Sequence, residues 1–219
     1  MKKINSLDIA ALVIWLLPVA YIAYIYSSLP ASVPIHFGSD GKPNQYGTKG
    51  EFVGTQSIVL GAAALVYLLL KFLPAIDPKK YVKYGEPTFQ KLAFGLVLFM
   101  SALDIAIAFS TINRSFNIEK LILPIIGLLF AFIGNMMNSI KPNYFAGIRT
   151  PWTLEDANTW RATHRLASKI WFFGGILLTI TVLLLPENVG RVVFMSIVGV
   201  LVLIPVIYSF LYYRKHLTN

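Results

Sequence analysis

Six apolar runs of near-constant length dominate the pattern of the chain: Ile9–Ser27, Gln56–Leu73, Phe89–Ser110, Leu121–Ser139, Lys169–Leu185 and Val192–Tyr213. About 20 helical residues cross the hydrocarbon core of a bilayer, so each run predicts a transmembrane helix. The fifth is the shortest. The runs are continuous rather than alternating, which fits helices that satisfy their own backbone in lipid and not the strands of a barrel. The first run is too long for a signal-peptide core. Pro18 and the tyrosines around Ser27 make a poor small-residue cleavage site, so it reads as a retained helix.

The polar stretches between the runs define the connections. Leu29–Phe52 carries Pro30, Pro34 and Pro43 with Gly38, Gly41, Gly47 and Gly50. Its prolines favour extended backbone, Val33–Phe37 reads as a short extended piece, and Ser39–Gly41 as a turn. Pro74–Thr88, with Lys79, Lys80 and Lys83, reads as a solvated connection. Thr111–Lys120 and Pro186–Arg191 are short and force antiparallel neighbours. The fourth connection contains Lys141–Ala167, a 27-residue island of aromatics, cations, acids and prolines. Thr150 can cap a helix with Pro151 at its first position, and Thr153 with Asp156 is an alternative start. From there Trp160, His164, Ala167 and Trp171 share one helical face; Arg161, Arg165 and Lys169 share another. Such a helix is expected at the membrane interface, with its tryptophans at headgroup level.

The expected fold is therefore all-α: a polytopic membrane protein, a bundle of about six transmembrane helices with an interfacial amphipathic helix in the fourth loop. Its expected divisions are 1–60 (first helix and outer loop), 61–118 (second and third helices), 119–213 (the region holding the island) and a tail, 214–219.

Composition supports the membrane reading, with 56% hydrophobic and only 13% charged residues. The net charge of +9 could suggest nucleic acid, but its placement argues otherwise. With an inside N-terminus, 14 of the 19 Lys and Arg residues fall in cytoplasmic segments. That asymmetry predicts both termini inside, in the cytoplasmic membrane, with lipids as partners and no direct contact with nucleic acid.

Candidate chemistry is sparse. The chain has no cysteine, so thiolate catalysis and disulfides are excluded. His36, His164 and His216 are scattered; no metal-ligand spacing, paired carboxylates, nucleophile elbow or phosphate loop appears, so no enzyme, metal or cofactor is expected. His36 reads as a packed loop residue and His164 as a structural one, with a charge switch near neutrality as the alternative. Two polar residues fall within spans. Asp104 is costly there and motivates a small ion-coupled transporter or exporter as an alternative function. Asn135, next to Gly134, can join helices by hydrogen bonding and close approach. Pro18, Pro124 and Pro205 predict kinks.

The island reads Gly134-Asn135, Lys141-Pro142-Asn143, Gly147-Ile148-Arg149-Thr150-Pro151-Trp152-Thr153-Leu154, Trp160, Thr163-His164-Arg165 and Gly174-Gly175. It resembles the SdpI family of bacterial membrane proteins. Leu29-Pro30, Val33–Phe37, Gly41, Pro43 and Lys49 resemble the small region often found ahead of it. The resemblance implies an immunity protein that protects a cell from a secreted membrane-active peptide. It also implies signalling, by drawing a cytoplasmic repressor to the membrane. The candidate partner- or lipid-binding residues are Asn143, Gly147, Arg149, Trp152, Trp160, His164 and Arg165. Pro34, His36 and Gly41 are the candidates for recognition on the outer face. A lipid-binding membrane protein is the further alternative, and the plainer one is that the island only folds the inner loop against the bundle.

Overall fold

The structure, a computed structural model, describes residues 4–38, 40–76, 86–113 and 117–217. Ser39 of the expected turn and most of the Pro74–Thr88 connection, with Lys79, Lys80 and Lys83, lie outside the described residues.

Among the described residues the chain is all-α apart from one hairpin. It runs α1 (Ser6–Ile25), a 3-10 turn (Tyr26–Ser28), β1 (Val33–Phe37), β2 (Pro43–Gly47), α2 (Lys49–Ile76), α3 (Glu86–Ile112), α4 (Glu119–Met137), α5 (Pro151–Glu155), α6 (Ala157–Leu184) and α7 (Glu187–Leu217). Six of these, all the helices but α5, are long and apolar enough to cross a membrane. Leu65, Leu68, Leu177, Leu183, Leu184 and Leu203 are each at least half exposed. An apolar exterior on that scale is stable only against lipid. This is the polytopic architecture that the six runs predict.

Two compact units emerge, one from 1–70 with 93–125, the other from 71–92 with 126–219. In the first, α1 begins with a capping box: Asn5 and Asp8 exchange bonds of 2.8 and 3.0 Å. Another opens α2, where the Thr48 N–H donates to Glu51 at 2.7 Å and the Thr48 hydroxyl accepts from the Glu51 N–H at 3.2 Å. That box starts α2 seven residues before the apolar run. Lys49 Nζ reaches back to the Tyr26 and Ser27 carbonyls, at 3.2 and 3.4 Å, where a cation suits a helix C-terminus. Between these helices β1 and β2 pair antiparallel, Val33 opposite Gly47. Val33 is fully buried in a cluster with Ile22, Ile25, Leu29, Phe52 and Ala108. This cluster straps the hairpin to the ends of α1, α2 and α3.

The second unit packs by close approach, as expected where lipid removes the hydrophobic incentive for helix association. A Cβ on Gly134 of α4 would lie 2.3 Å from the Phe172 nitrogen of α6, and one on Gly175 of α6 would lie 2.4 Å from the Ala131 nitrogen of α4. Trp171 of α6 packs edge-on against Phe130, with centroids 5.1 Å apart, and donates Nε1 to the Leu201 carbonyl of α7 at 2.7 Å. In a regular helix that carbonyl would accept from residue 205. Pro205 has no N–H, so Trp171 supplies the missing donor.

Two expectations change. The interfacial helix is not a separate element: α5 is a five-residue turn, and the amphipathic stretch is the start of α6, which runs on into the span. At about 1.5 Å per residue, α6 is roughly 42 Å long, more than the hydrocarbon core needs. Asn135 does not join helices. It is exposed on α4, and Gly134 beside it makes the close approach.

Candidate functional site

The island 141–167 folds into a knot whose polar groups are largely consumed by its own backbone. Asn143, 3% exposed, organises the turn after α4. Its Oδ1 accepts from the Phe145 and Ala146 N–H groups at 2.7 and 2.8 Å, and its Nδ2 donates to the Lys141 and Ala146 carbonyls at 2.7 and 3.1 Å. All four positions of the amide are used.

The chain then passes Gly147 at φ +115, a conformation that favours glycine. A Cβ here would also sit 2.4 Å from His164 Nε2 and 3.1 Å from the Trp160 ring. His164 and Trp160 stack on α6, with centroids 4.1 Å apart and planes 14° apart. Both are buried; Trp160 donates Nε1 to the Ile140 carbonyl at 2.9 Å. His164 Nδ1 lies 2.9 Å from the Trp160 carbonyl, and Nε2 accepts from the Ile148 N–H at 3.2 Å. A carbonyl only accepts and an amide N–H only donates, so these partners assign the Nδ1–H tautomer and an uncharged ring. Trp160, expected at headgroup level, is therefore a core residue. An indole needs a partner for its N–H and a flat contact for its ring, and the glycine and histidine provide that contact.

Two caps reverse the chain. Thr150 caps α5 in a box with Thr153, as the first of the two expected starts requires. Thr153, 1% exposed, also donates to the Ile148 carbonyl at 2.8 Å. Asp156 caps α6, accepting from the Thr159 N–H and hydroxyl at 2.6 Å each and from the Asn158 N–H at 3.2 Å. The Thr159 hydroxyl and these N–H groups hold the Asp156 carboxyl below its usual range, despite some burial. The first predicted start, at Thr150, is thus used; the alternative is not, because Thr153 is the third residue of α5 and the cap of α6 is Asp156 itself. Trp152 ties α5 to α7 through the Ser209 hydroxyl and an edge-on contact with Phe210. Glu155 accepts from Tyr213 at 2.7 Å.

The cations stay outside. Arg149 is exposed and donates to the Tyr144 carbonyl. Arg161 folds onto its own helix, meeting the Ala157 carbonyl at 3.2 Å and Asn158 at 2.8 Å. Arg165 and Lys169 follow at four-residue steps on the same exposed face. A shallow hollow of about 170 Å³ lies beside the knot, lined by Pro142, Tyr144, Thr153, Leu154 and Glu155 among others.

Of the seven candidates in the island, Asn143, Gly147, Trp160 and His164 come together in the knot. Trp152 anchors to α7, and Arg149 and Arg165 face outward. Ile148, Thr153 and Thr159 belong to the same network but were not among the candidates; Thr150-x-x-Thr153 and Asp156-x-x-Thr159 are the cap spacings that mark two of them. The hairpin candidates lie in the other unit. Pro34 is buried, and Gly41 turns at φ +71. A Cβ on Gly41 would lie 2.1 Å from Asn117 Oδ1. Exposed His36 pairs through Nδ1 with Asn44 Oδ1 at 2.6 Å.

Comparison with known proteins matches residues 139–209 to the SdpI/YfhL protein family. Residues 13–60 match a family described as a domain of unknown function, DUF1648. Immunity protein SdpI of Bacillus subtilis (strain 168) is 24% identical over 191 residues, covering 87% of this chain and 88% of that protein. An uncharacterized protein of Archaeoglobus fulgidus is 33% identical over 69 residues, covering 32% of this chain and 34% of that one. No solved structure matches.

Proposed function

We propose that this chain, a multi-pass membrane protein carrying the SdpI/YfhL family region, is an immunity protein that lets a bacterial cell survive a secreted membrane-active peptide. One observation carries this reading. The similarity to Immunity protein SdpI runs through nearly the full length of both chains, not through the family region alone.

The character of the knot supports it. A site whose histidine, asparagine and threonines other than Thr163 are spent on holding its own fold has little left for chemistry, and its exposed cations suit binding. In this reading the hairpin faces outward, where a secreted peptide arrives. The knot and both termini face the cytoplasm, consistent with the bias of Lys and Arg toward those segments. There Arg149, Arg165 and Lys169 are available to the carboxylates of a recruited repressor or the phosphates of anionic lipid.

Expression in peptide-sensitive bacteria tests the proposal. Cells making the chain should survive a challenge that kills vector controls, and Arg149→Ala, inserted to the same level, should lose most of that protection. Survival equal to the vector control contradicts immunity. Undiminished protection by Arg149→Ala removes the cationic face from the mechanism.

A further inference from the structure

Asp104 lies about two turns before the C-terminal end of α3, fully buried, and neither carboxyl oxygen has a hydrogen-bond partner among the described residues. One turn earlier on the same face, the hydroxyl of Ser101 is buried and unpartnered too. From α2, Gln56 is 2% exposed and donates Nε2 to the main-chain carbonyl of Asp104 at 3.0 Å, which fixes the two helices together at this level. One turn later, Ala108 belongs to the apolar cluster with Ile22, Phe52 and Val33.

The surrounding elements bring no charge to this position. α1 contributes Tyr21 beside Ala102, Ile105 and Ala106 of α3. The charged groups of α1 and α2 are held elsewhere: Asp8 by Tyr67, Glu51 by Thr48, Lys49 by the carbonyls of the 3-10 turn, and Lys71, near the other end of α2, over the Phe72 ring. Glu86 and Lys91 belong to the first turns of α3, and Glu119 and Lys120 to the first turn of α4. No charged side chain among the described residues hydrogen-bonds to the Asp104 carboxyl.

An ionised carboxylate left alone in an apolar interior is far costlier than the neutral acid. A metal cation could offset that charge, but hard cations need several oxygen ligands. Here Gln56 presents its nitrogen, and Ser101 adds a single hydroxyl. We propose that Asp104 is an intramembrane proton-binding site. The proton resides on the carboxyl while α1, α2 and α3 are packed, and exchanges with water when that packing opens. This site is independent of the immunity reading and holds whichever way that reading falls.

Infrared spectroscopy of the full chain reconstituted in lipid tests it. At neutral pH the protein should show a carboxylic-acid carbonyl band equivalent to one proton per chain. Carbonyl ¹³C-labelled aspartate should shift that band, and Asp104→Asn should abolish it. If Asp104→Asn fails to accumulate, Asp104→Glu decides: the acid band should remain, but labelled aspartate should no longer move it. Only ionised aspartate at neutral pH, or an acid band that persists in Asp104→Asn, would overturn the proposal. Exchanging choline for sodium ions at fixed pH should leave the band unchanged; its loss would assign the site to a metal cation instead.

Discussion

Gly147 and His164 occupy each other's space: the glycine has no side chain where the imidazole accepts its bond from Ile148. Gly147→Ala combines an unfavourable φ of +115 with a contact at 2.4 Å. A strained backbone position alone costs about 1–3 kcal/mol, so a clear drop in thermal stability in detergent is expected. His164→Phe should keep the stack on Trp160 but leave the Ile148 N–H bare, at about 1–3 kcal/mol. Asp156 gives the pH dependence. Its folded carboxyl titrates below the usual range, so its capping is fully present above the unfolded value of about 3.9 and is lost as pH falls through the folded one. Asn caps nearly as well as Asp. Asp156→Asn should therefore remove this acid-labile part of the stability while leaving neutral-pH stability close to the original, as melting curves across the acid range would show. These roles were only partly legible in the sequence. The caps could be read from spacing. That the Trp160 face meets protein rather than lipid could not, because an aromatic stripe at helical spacing has the same pattern in either setting.

At the scale of elements, Trp171 and Pro205 form a matched pair across α6 and α7. Trp171→Phe leaves the Leu201 carbonyl without a donor, at a cost of about 1–3 kcal/mol. Pro205→Ala restores an N–H to the helix, so the Trp171→Phe loss should shrink in that background. A double-mutant cycle of thermal stabilities measures the coupling; equal losses in both backgrounds would show that the indole bond and the proline are unrelated. The six spans were legible because runs near 20 apolar residues have few other uses. Their boundaries were not: α2 begins at Lys49 because Thr48 and Glu51 cap it, a signal of polar residues that lies outside the apolar run. β1 was legible as Val33–Phe37, whereas β2 was hidden. Pro43-Asn44-Gln45-Tyr46-Gly47 is poor in strand-forming residues and pairs because Gly38 and Gly41 turn the chain back onto β1.

For the whole molecule, the exposed leucines require a bilayer, and the proposed protection from a secreted peptide requires a particular orientation within it. In the proposed orientation, which the Lys and Arg bias supports, the first connection is outside and the fourth inside. Because the chain has no cysteine, single cysteines report this without background. Lys42→Cys on the hairpin and Asn158→Cys at the start of α6 are exposed positions for the purpose. In intact cells treated with a membrane-impermeant maleimide, Lys42→Cys should label at once and Asn158→Cys only after the membrane is permeabilised. Labelling of Asn158→Cys in intact cells, with Lys42→Cys protected, would put the knot on the peptide's side and contradict the proposed mechanism.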